Sequence, residues 1–134
     1  MGTLSQVRAH GLEYFPVPNV FVVAPTRGRP YALSAVSPHL GENLFYCETS
    51  GWFVSLAHGE QFDLQGHYEL GPAPAGMDRV ALKMNGDIID VSPARITPGL
   101  PRGASGTDPS PSGPFCQGHL IHVAPGVIQP SPQP

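Results

Sequence analysis

The positions of glycine and proline are the feature that most constrains how this chain can fold. Its 134 residues include 16 Gly and 17 Pro. No window of about twelve residues keeps a helical apolar stripe free of Pro or Gly. Short apolar runs between turn residues recur instead, which is typical of antiparallel β structure. The sequence therefore predicts an all-β fold, a small antiparallel β-sandwich or barrel with a long Pro/Gly-rich C-terminal arm.

Ten short apolar segments are predicted to be strands. They are Leu12–Phe15, Val20–Ala24, Tyr31–Val36, Asn43–Cys47, Trp52–Ala57, Gln61–Leu64, His67–Leu70, Arg79–Met84, Asp87–Val91 and His119–Ala124.

Three regions follow from this pattern. An N-terminal extension (1–11) precedes a β domain (12–91), and an extended Pro-rich arm (92–134) follows it. Residues 92–114 hold many prolines and few large apolar groups, so we expect them to be flexible or polyproline-II-like. The arm contains one short strand, 119–124, which we expect to pair with this sheet or with that of a neighbouring subunit.

Asn85-Gly86 predicts a tight β-hairpin, because Asn-Gly suits the two positive-φ positions of a type I′ turn. With these two residues as the loop, Met84 lies opposite Asp87. The register then segregates the side chains by face. The two groups are Val80, Leu82, Ile89 and Val91 on the apolar face, and Ala81, Lys83, Ile88 and Asp90 on the other.

A second hairpin is predicted around a four-residue loop, 48–51. Three cross-strand pairs follow from that loop length: Cys47 with Trp52, Phe45 with Val54, and Tyr46 with Phe53. Aromatic cross-strand pairs contribute roughly 0.2–1 kcal/mol each. We therefore expect Trp52 to be a core or hairpin residue, with ligand stacking as the alternative.

The segment 61–70 alternates polar and apolar residues, and its parity continues across Gly66. This pattern permits one long strand with a bend or bulge at Gly66.

Charge argues against nucleic acid and membrane as partners. The net charge is −3 and Lys83 is the only lysine, so a basic patch that would neutralise phosphates is missing from the sequence. Arg27 and Arg29 form the only basic pair and are interpreted as part of a solvated loop. No apolar run approaches the ~18 residues of a membrane span, and 1–10 lacks the apolar region of a signal peptide. We expect a location in a virion or a cytoplasmic assembly.

Two cysteines do not make a secreted disulfide framework. We expect Cys47 and Cys116 to be free thiols, with a bridge between them as the alternative. Cys116, His119 and His122 have a zinc-like spacing. On a strand, however, the two histidines would point to opposite faces.

The remaining histidines give no recognisable site. His58-Gly-Glu60 resembles the short acid–histidine pairs of some β-barrel metalloenzymes, but no His-x-His precedes it, so turn residues are expected. Walker, Rossmann, EF-hand and Gly-x-Ser-x-Gly patterns are missing from the sequence. We assign no catalytic, cofactor-binding or metal-binding residue and expect a protein that is not an enzyme.

The leading hypothesis is a non-enzymatic structural subunit of a larger assembly, such as a small virion protein that decorates a capsid or associates with a tail. Only 13% of residues are charged, which suggests surface covered by neighbours. The partners would be further copies of the chain or a larger shell or tail protein, reached by the arm. The candidate interaction residues are Trp52, Tyr46, Phe53, Phe115, Leu120, Val123, Val127 and Ile128.

Two other classes of function stay open. One is a β-sandwich module that binds carbohydrate or peptide on an exposed row formed by Trp52, Tyr14, Tyr31, Tyr46 and Tyr68. The other is an enzyme of unrecognised type, which would need a pocket that joins His58, Glu60 or His67 with another acid.

Overall fold

A computed structural model describes residues 2–47, 51–55, 60–101 and 120–121. Its elements are α1 (Leu4–His10), β1 (Leu12–Phe15), β2 (Val20–Val23), β3 (Tyr31–Ser34), β4 (Phe45–Cys47), β5 (Phe53–Val54), β6 (Gln61–Phe62), β7 (Tyr68–Leu70), β8 (Arg79–Asn85), β9 (Ile88–Thr97) and β10 (Leu120–Ile121). The strands form two antiparallel sheets of five strands each, in the orders β1-β2-β3-β8-β9 and β10-β4-β5-β6-β7. The predicted small all-β fold is confirmed, with a sandwich-like architecture.

Aromatic side chains join the two sheets. Phe21 of β2 packs on Phe53 of β5 with ring centroids 4.9 Å apart, and both side chains are fully buried. Tyr14 lies against Phe21 at 5.2 Å, and Tyr46 lies against Phe53 at 5.1 Å. These tilted contacts form a continuous row through the core, where each pair contributes about 0.5–1.5 kcal/mol beyond area burial.

The outer face of the first sheet is covered by α1. A capping box starts this helix: Thr3 Oγ1 accepts from the Gln6 backbone N–H at 3.2 Å, and Gln6 Oε1 accepts from the Thr3 N–H at 3.1 Å. Val7 is fully buried against the sheet. The helix spans seven residues, so it is shorter than the windows in which helical periodicity is recognised. It gives β1 and β2 a second buried face.

The β8–β9 hairpin forms, but the predicted register is wrong. Asn85 pairs with Ile88, and Met84 pairs with Ile89 rather than having Asp87 opposite it. The loop is therefore Gly86-Asp87, and Gly86 has φ +64° at its first position, as in a type II′ turn. The register differs from the prediction by two residues, which preserves the parity of each strand. The predicted segregation of faces is consequently confirmed.

The β4–β5 hairpin has the predicted register. Phe45 pairs with Val54 and Tyr46 pairs with Phe53. The Cys47 backbone N–H donates to the Trp52 carbonyl at 2.8 Å, which closes the hairpin.

The predicted segments Gln61–Leu64 and His67–Leu70 contain β6 and β7, whereas the alternative of one long strand over 61–70 is wrong. β6 and β7 pair with each other as an antiparallel hairpin. Asp63 Oδ1 accepts from the backbone N–H groups of Gln65 and His67, each at 2.9 Å, and this carboxylate organises the turn. Gly66 has φ +85°, so it lies in the reversal of the chain rather than in a strand.

The start of the arm is more ordered than the sequence predicts. β9 continues to Thr97, past the predicted end at Val91. Ala81 pairs with Ser92, whereas Val80 pairs with Ile96, so the register between β8 and β9 shifts between these two pairs. Pro93 lies in the irregular segment of β9 between them, where it needs no ladder hydrogen bond. The expectation of flexible or polyproline-II-like structure beginning at residue 92 is therefore wrong for 92–97, which belong to β9. Part of the predicted strand 119–124 is present as β10, which pairs with β4 of the same chain.

Cys47 is fully buried and disulfide-bonded, so the expectation of two free thiols is wrong. The sequence contains one other cysteine, Cys116, which lies outside the described residues. The pairing of Leu120 with Cys47 brings β10 beside β4. That long-range pairing has no local signal in the sequence.

The aromatic row predicts a large cost for truncating its centre. We expect Phe53→Ala to lower the free energy of unfolding by about 3–5 kcal/mol, because a fully buried ring leaves a cavity between the sheets. Urea denaturation followed by far-UV circular dichroism measures this change. Val17→Ala is the control, since Val17 is 83% exposed and its truncation is expected to cost less than about 0.5 kcal/mol. Similar costs for the two variants would contradict the packing described.

Candidate functional site

Five polar side chains converge where the β3–β4 connection meets the ends of β5 and β6. Ser37, His39 and Glu42 come from that connection, Ser55 follows β5, and Glu60 precedes β6. We call this group the Glu60 cluster. Glu60 has no exposed surface and both serines are buried, whereas His39 and Glu42 are half-buried, so the cluster extends from the interior to the surface.

Backbone hydrogen bonds fold the β3–β4 connection into a compact loop. The Ser37 N–H donates to the Glu42 carbonyl at 2.8 Å, and the Gly41 N–H donates to the Ser37 carbonyl at 3.1 Å. The His39 N–H donates to Ser37 Oγ at 3.0 Å. His39 and Glu42 are thereby held on the same loop as Ser37.

A second set of contacts fixes the β3–β4 connection against the turn between β1 and β2. Tyr14 donates its hydroxyl hydrogen to Asn19 Oδ1, and burial raises the pKa of Tyr14, so the hydroxyl stays protonated. Asn19 accepts from the Ala35 N–H at 3.0 Å through its carbonyl, and its Nδ2 donates to Asn43 Oδ1 at 3.3 Å. The turn before β2 therefore supports both ends of the loop.

Glu60 is the centre of the cluster. Its Oε1 accepts from Ser37 Oγ at 2.5 Å, and its Oε2 lies 3.0 Å from His39 Nδ1. Its backbone carbonyl accepts from the Ser55 N–H at 2.9 Å. Gly71 has φ +100°, and a Cβ there would lie 2.7 Å from the Glu60 Cα. Only glycine lets the end of β7 pass this close to Glu60.

The Glu60 carboxylate has one oxygen bonded and one turned toward other ligand-type atoms. Among the described residues, no donor makes a hydrogen bond with Oε2, although His39 Nδ1 lies 3.0 Å away. Ligand atoms of His39, Glu42 and Glu60 all lie within 4.8 Å of one another. Two atoms that each bind one ion at about 2.1 Å are about 3.0 Å apart at a right angle and about 3.4 Å apart at the tetrahedral angle typical of zinc. The 3.0 Å between Nδ1 and Oε2 is compatible with two ligands of one ion, and it is also the distance of a direct ion pair.

A hydrogen bond from Ser55 holds the side chain of Glu42. Its Oε2 accepts from Ser55 Oγ at 2.8 Å, and Glu42 itself is half-buried. Ser37 and Ser55 thus each donate to one carboxylate of the cluster. Such outer hydrogen bonds orient carboxylates toward a common point.

The same hydrogen bonds argue against Ser37 as a catalytic nucleophile. In a Ser-His-acid triad the hydroxyl donates to the histidine, and the acid holds the far side of the ring. Here Ser37 donates directly to Glu60. The hydroxyl supports the carboxylate instead of being activated by His39.

Two further histidine–acid pairs lie elsewhere and serve for comparison. Glu13 Oε1 lies 3.3 Å from His10 Nδ1, and Asp63 Oδ2 lies 3.7 Å from His67 Nδ1. Neither pair has a third ligand-type side chain grouped with it among the described residues. Asp63 also accepts the two backbone hydrogen bonds that organise the turn between β6 and β7.

The residues expected to form an aromatic binding row are placed differently. Tyr14 and Trp52 are buried, whereas three tyrosines, Tyr31, Tyr46 and Tyr68, are half-buried and pack on the core. Tyr31 Oη donates to the Leu64 carbonyl at 2.7 Å, and Tyr68 Oη donates to the Gly71 carbonyl at 2.6 Å. These five side chains therefore form no exposed row.

Only some of the predicted interaction residues lie among the described residues. Phe53 is fully buried, Trp52 is buried, Tyr46 is half-buried, and the backbone of Leu120 forms part of β10. The other four, Phe115, Val123, Val127 and Ile128, lie outside the described residues, as does His58. A role of this set in protein contacts stays a prediction.

Sequence reasoning missed His39, Glu42 and Glu60 as a group. The available signal was the short spacing of Ser37, His39 and Glu42 within one loop, together with an acid just before the strand at 61. Neither segment matches a known ligand pattern, and only the pairing of the second sheet brings them together.

The support of Glu60 by Ser37 gives a stability prediction. We expect Ser37→Ala to lower the free energy of unfolding by about 1–3 kcal/mol, because it leaves a buried carboxylate oxygen without its donor. Ser5→Ala is the matched control, since Ser5 Oγ donates to Asp87 Oδ2 at 2.9 Å on the exposed surface. Chemical denaturation of both variants measures the difference. Equal losses would show that the Ser37–Glu60 bond is no stronger than a surface contact.

Within the part of the chain that the structure describes, helices are too short and too polar to cross a membrane. Neither a scan against known protein families nor a search of curated proteins finds a match for this chain. The functional argument therefore rests on the chemistry of the Glu60 cluster.

Proposed function

We propose that this protein binds one divalent transition-metal ion between His39, Glu42 and Glu60. The observation that carries the proposal is the fully buried Glu60 carboxylate, whose Oε2 lies 3.0 Å from His39 Nδ1. Burying a carboxylate is costly unless it is paired, hydrogen-bonded or bound to a metal. A cation between the three ligands would offset that cost and neutralise two negative charges.

The chemistry of the ligands favours a particular class of ion. One imidazole nitrogen with carboxylate oxygens suits Zn²⁺, Mn²⁺ or Fe²⁺. Ca²⁺ takes six to eight oxygen ligands in most proteins, which this group does not supply. Three protein ligands also leave at least one position for water. The proposed function is metal binding at a partly open site.

Metal titration tests the proposal. We expect Zn²⁺, Mn²⁺ or Co²⁺ to raise the unfolding temperature of the chelator-treated protein. The free energy of unfolding should rise by about 2.7 kcal/mol when the free ion concentration is 100 times its Kd. We expect Co²⁺ to develop a visible d–d absorption band. Glu60→Gln should abolish both signals. Glu42→Gln is a second variant, which keeps a side-chain oxygen for Ser55 and should weaken binding without unfolding the loop.

Glu13→Gln is the matched control, because Glu13 is also buried and also lies beside a histidine. It should retain full metal binding. The proposal is wrong if no ion raises the unfolding temperature of the wild-type chain, or if Glu13→Gln loses binding as completely as Glu60→Gln.

As a second candidate we propose the assembly role, in which the protein is a structural subunit such as a capsid-decorating or tail-associated virion protein. A specific surface supports contacts between copies. Val17 is 83% exposed and Leu40 is 66% exposed, and the Asn19–Asn43 hydrogen bond holds their two loops side by side. Protein contacts are marked by contiguous exposed apolar patches, and two such side chains on neighbouring loops would contribute to one.

Sedimentation velocity of the full chain tests the assembly role. We expect a mass above the 14.2 kDa of one chain, and we expect Leu40→Asp to shift the population to monomer, because a buried charge at a contact is costly. Ile88→Asp is the control, since Ile88 is 53% exposed at the opposite hairpin. A wild-type chain that is monomeric at all concentrations would contradict self-assembly.

A further inference from the structure

A cleft of about 390 Å³ lies between the segment before β3 and strand β8. Its volume falls in the range of about 300–1,000 Å³ that small-molecule sites occupy. Its walls combine guanidinium, aromatic, hydroxyl and aliphatic groups: Arg29, Pro30, Tyr31, Arg79, Leu82 and Thr97. It is built from residues that the Glu60 cluster does not use.

The cleft lies beyond the end of the β3–β8 ladder. This ladder consists of Ala32 opposite Val80 and Leu33 opposite Arg79. Pro30 has no backbone N–H, so it cannot donate a further ladder bond toward β8. On the other side of β8, the register shift against β9 lies between Val80 and Ala81. Next to the cleft, regular pairing is therefore interrupted on both sides of β8.

Arg79 is positioned by an aromatic ring. Its guanidinium carbon lies 4.4 Å from the centroid of the Tyr31 ring, and Tyr31 is itself fixed by its hydroxyl bond to the Leu64 carbonyl. Stacking uses the face of a guanidinium and leaves its N–H edge available for a planar anion. Among the described residues, no carboxylate pairs with Arg79 or Arg29 within 4 Å.

We infer that this cleft binds a small organic oxyanion, a carboxylate or a phosphate monoester, that carries an apolar group. Arg29 and Arg79 would hold the oxyanion, since guanidinium groups bind carboxylate and phosphate in bidentate fashion. Pro30 and Leu82 would contact the apolar part. The chain as a whole carries a net charge of −3, so the positive charge of the two arginines at this cleft is local.

Calorimetric titration of the full chain with phenyl phosphate, benzoate and inorganic phosphate tests this inference. We expect phenyl phosphate or benzoate to bind at least about tenfold more tightly than inorganic phosphate, because the apolar group adds contacts. The stronger of the two organic probes identifies the oxyanion. Arg79→Gln and Arg29→Gln should each weaken binding by about tenfold or more, which corresponds to the loss of one charge-assisted hydrogen bond.

Arg95→Gln is the control, because it removes the same charge from exposed β9 without touching the cleft lining. It should leave binding within about twofold, apart from screening that added salt removes. The inference is overturned if none of the three probes binds, if inorganic phosphate binds as tightly as the organic anions, or if Arg95→Gln matches Arg79→Gln. These outcomes are independent of metal binding at the Glu60 cluster.

Discussion

A carboxylate without solvent exposure, that of Glu60, is the constraint around which one end of the domain is arranged. Ser37 donates to one of its oxygens, and His39 approaches the other at 3.0 Å. The end of β7 can pass only because residue 71 is glycine. Burying a charge in this way makes the surrounding hydrogen bonds obligatory, since an unsatisfied partner costs about 1–3 kcal/mol. The loop between β3 and β4 is therefore fixed by electrostatics as much as by backbone hydrogen bonds.

The rest of the fold depends on apolar contact between the sheets. Phe21 and Phe53 meet at its centre, while α1 covers the outer face of the first sheet through Val7. Strands buried on both faces have little surface on which to carry charge. The low charge content of β1 and β2 thus has a cause within the single subunit. It gives weaker support to an assembly role than composition alone suggested.

Local patterns predicted the β fold, the β4–β5 register and the two faces of the β8–β9 hairpin, because each depends on neighbours in sequence. The two-residue turn was predicted at Asn85-Gly86 but lies at Gly86-Asp87, because an Asn-Gly pair is compatible with more than one loop position. The chain reversal at Asp63 was missed because its carboxylate, rather than a proline or a glycine pair, organises the turn. The disulfide of Cys47 and the Glu60 cluster depend on pairings between distant segments, which hydrophobic patterning does not encode.

His39 and Glu60 lie at an ion-pair distance, and the presence of Glu42 beside them distinguishes this group from an isolated pair. A buried pair offsets the cost of desolvation only when its hydrogen bonds are well formed. Nδ1 and Oε2 are close enough to bond, yet they are not aligned as donor and acceptor. Glu42, a second carboxylate held by Ser55, adds a further negative charge within the same few ångströms. An added negative charge stabilises any cation beside it, and a divalent cation gains about twice as much from it as a singly charged imidazolium. The arrangement of these three residues is therefore the basis of the proposed shared cation.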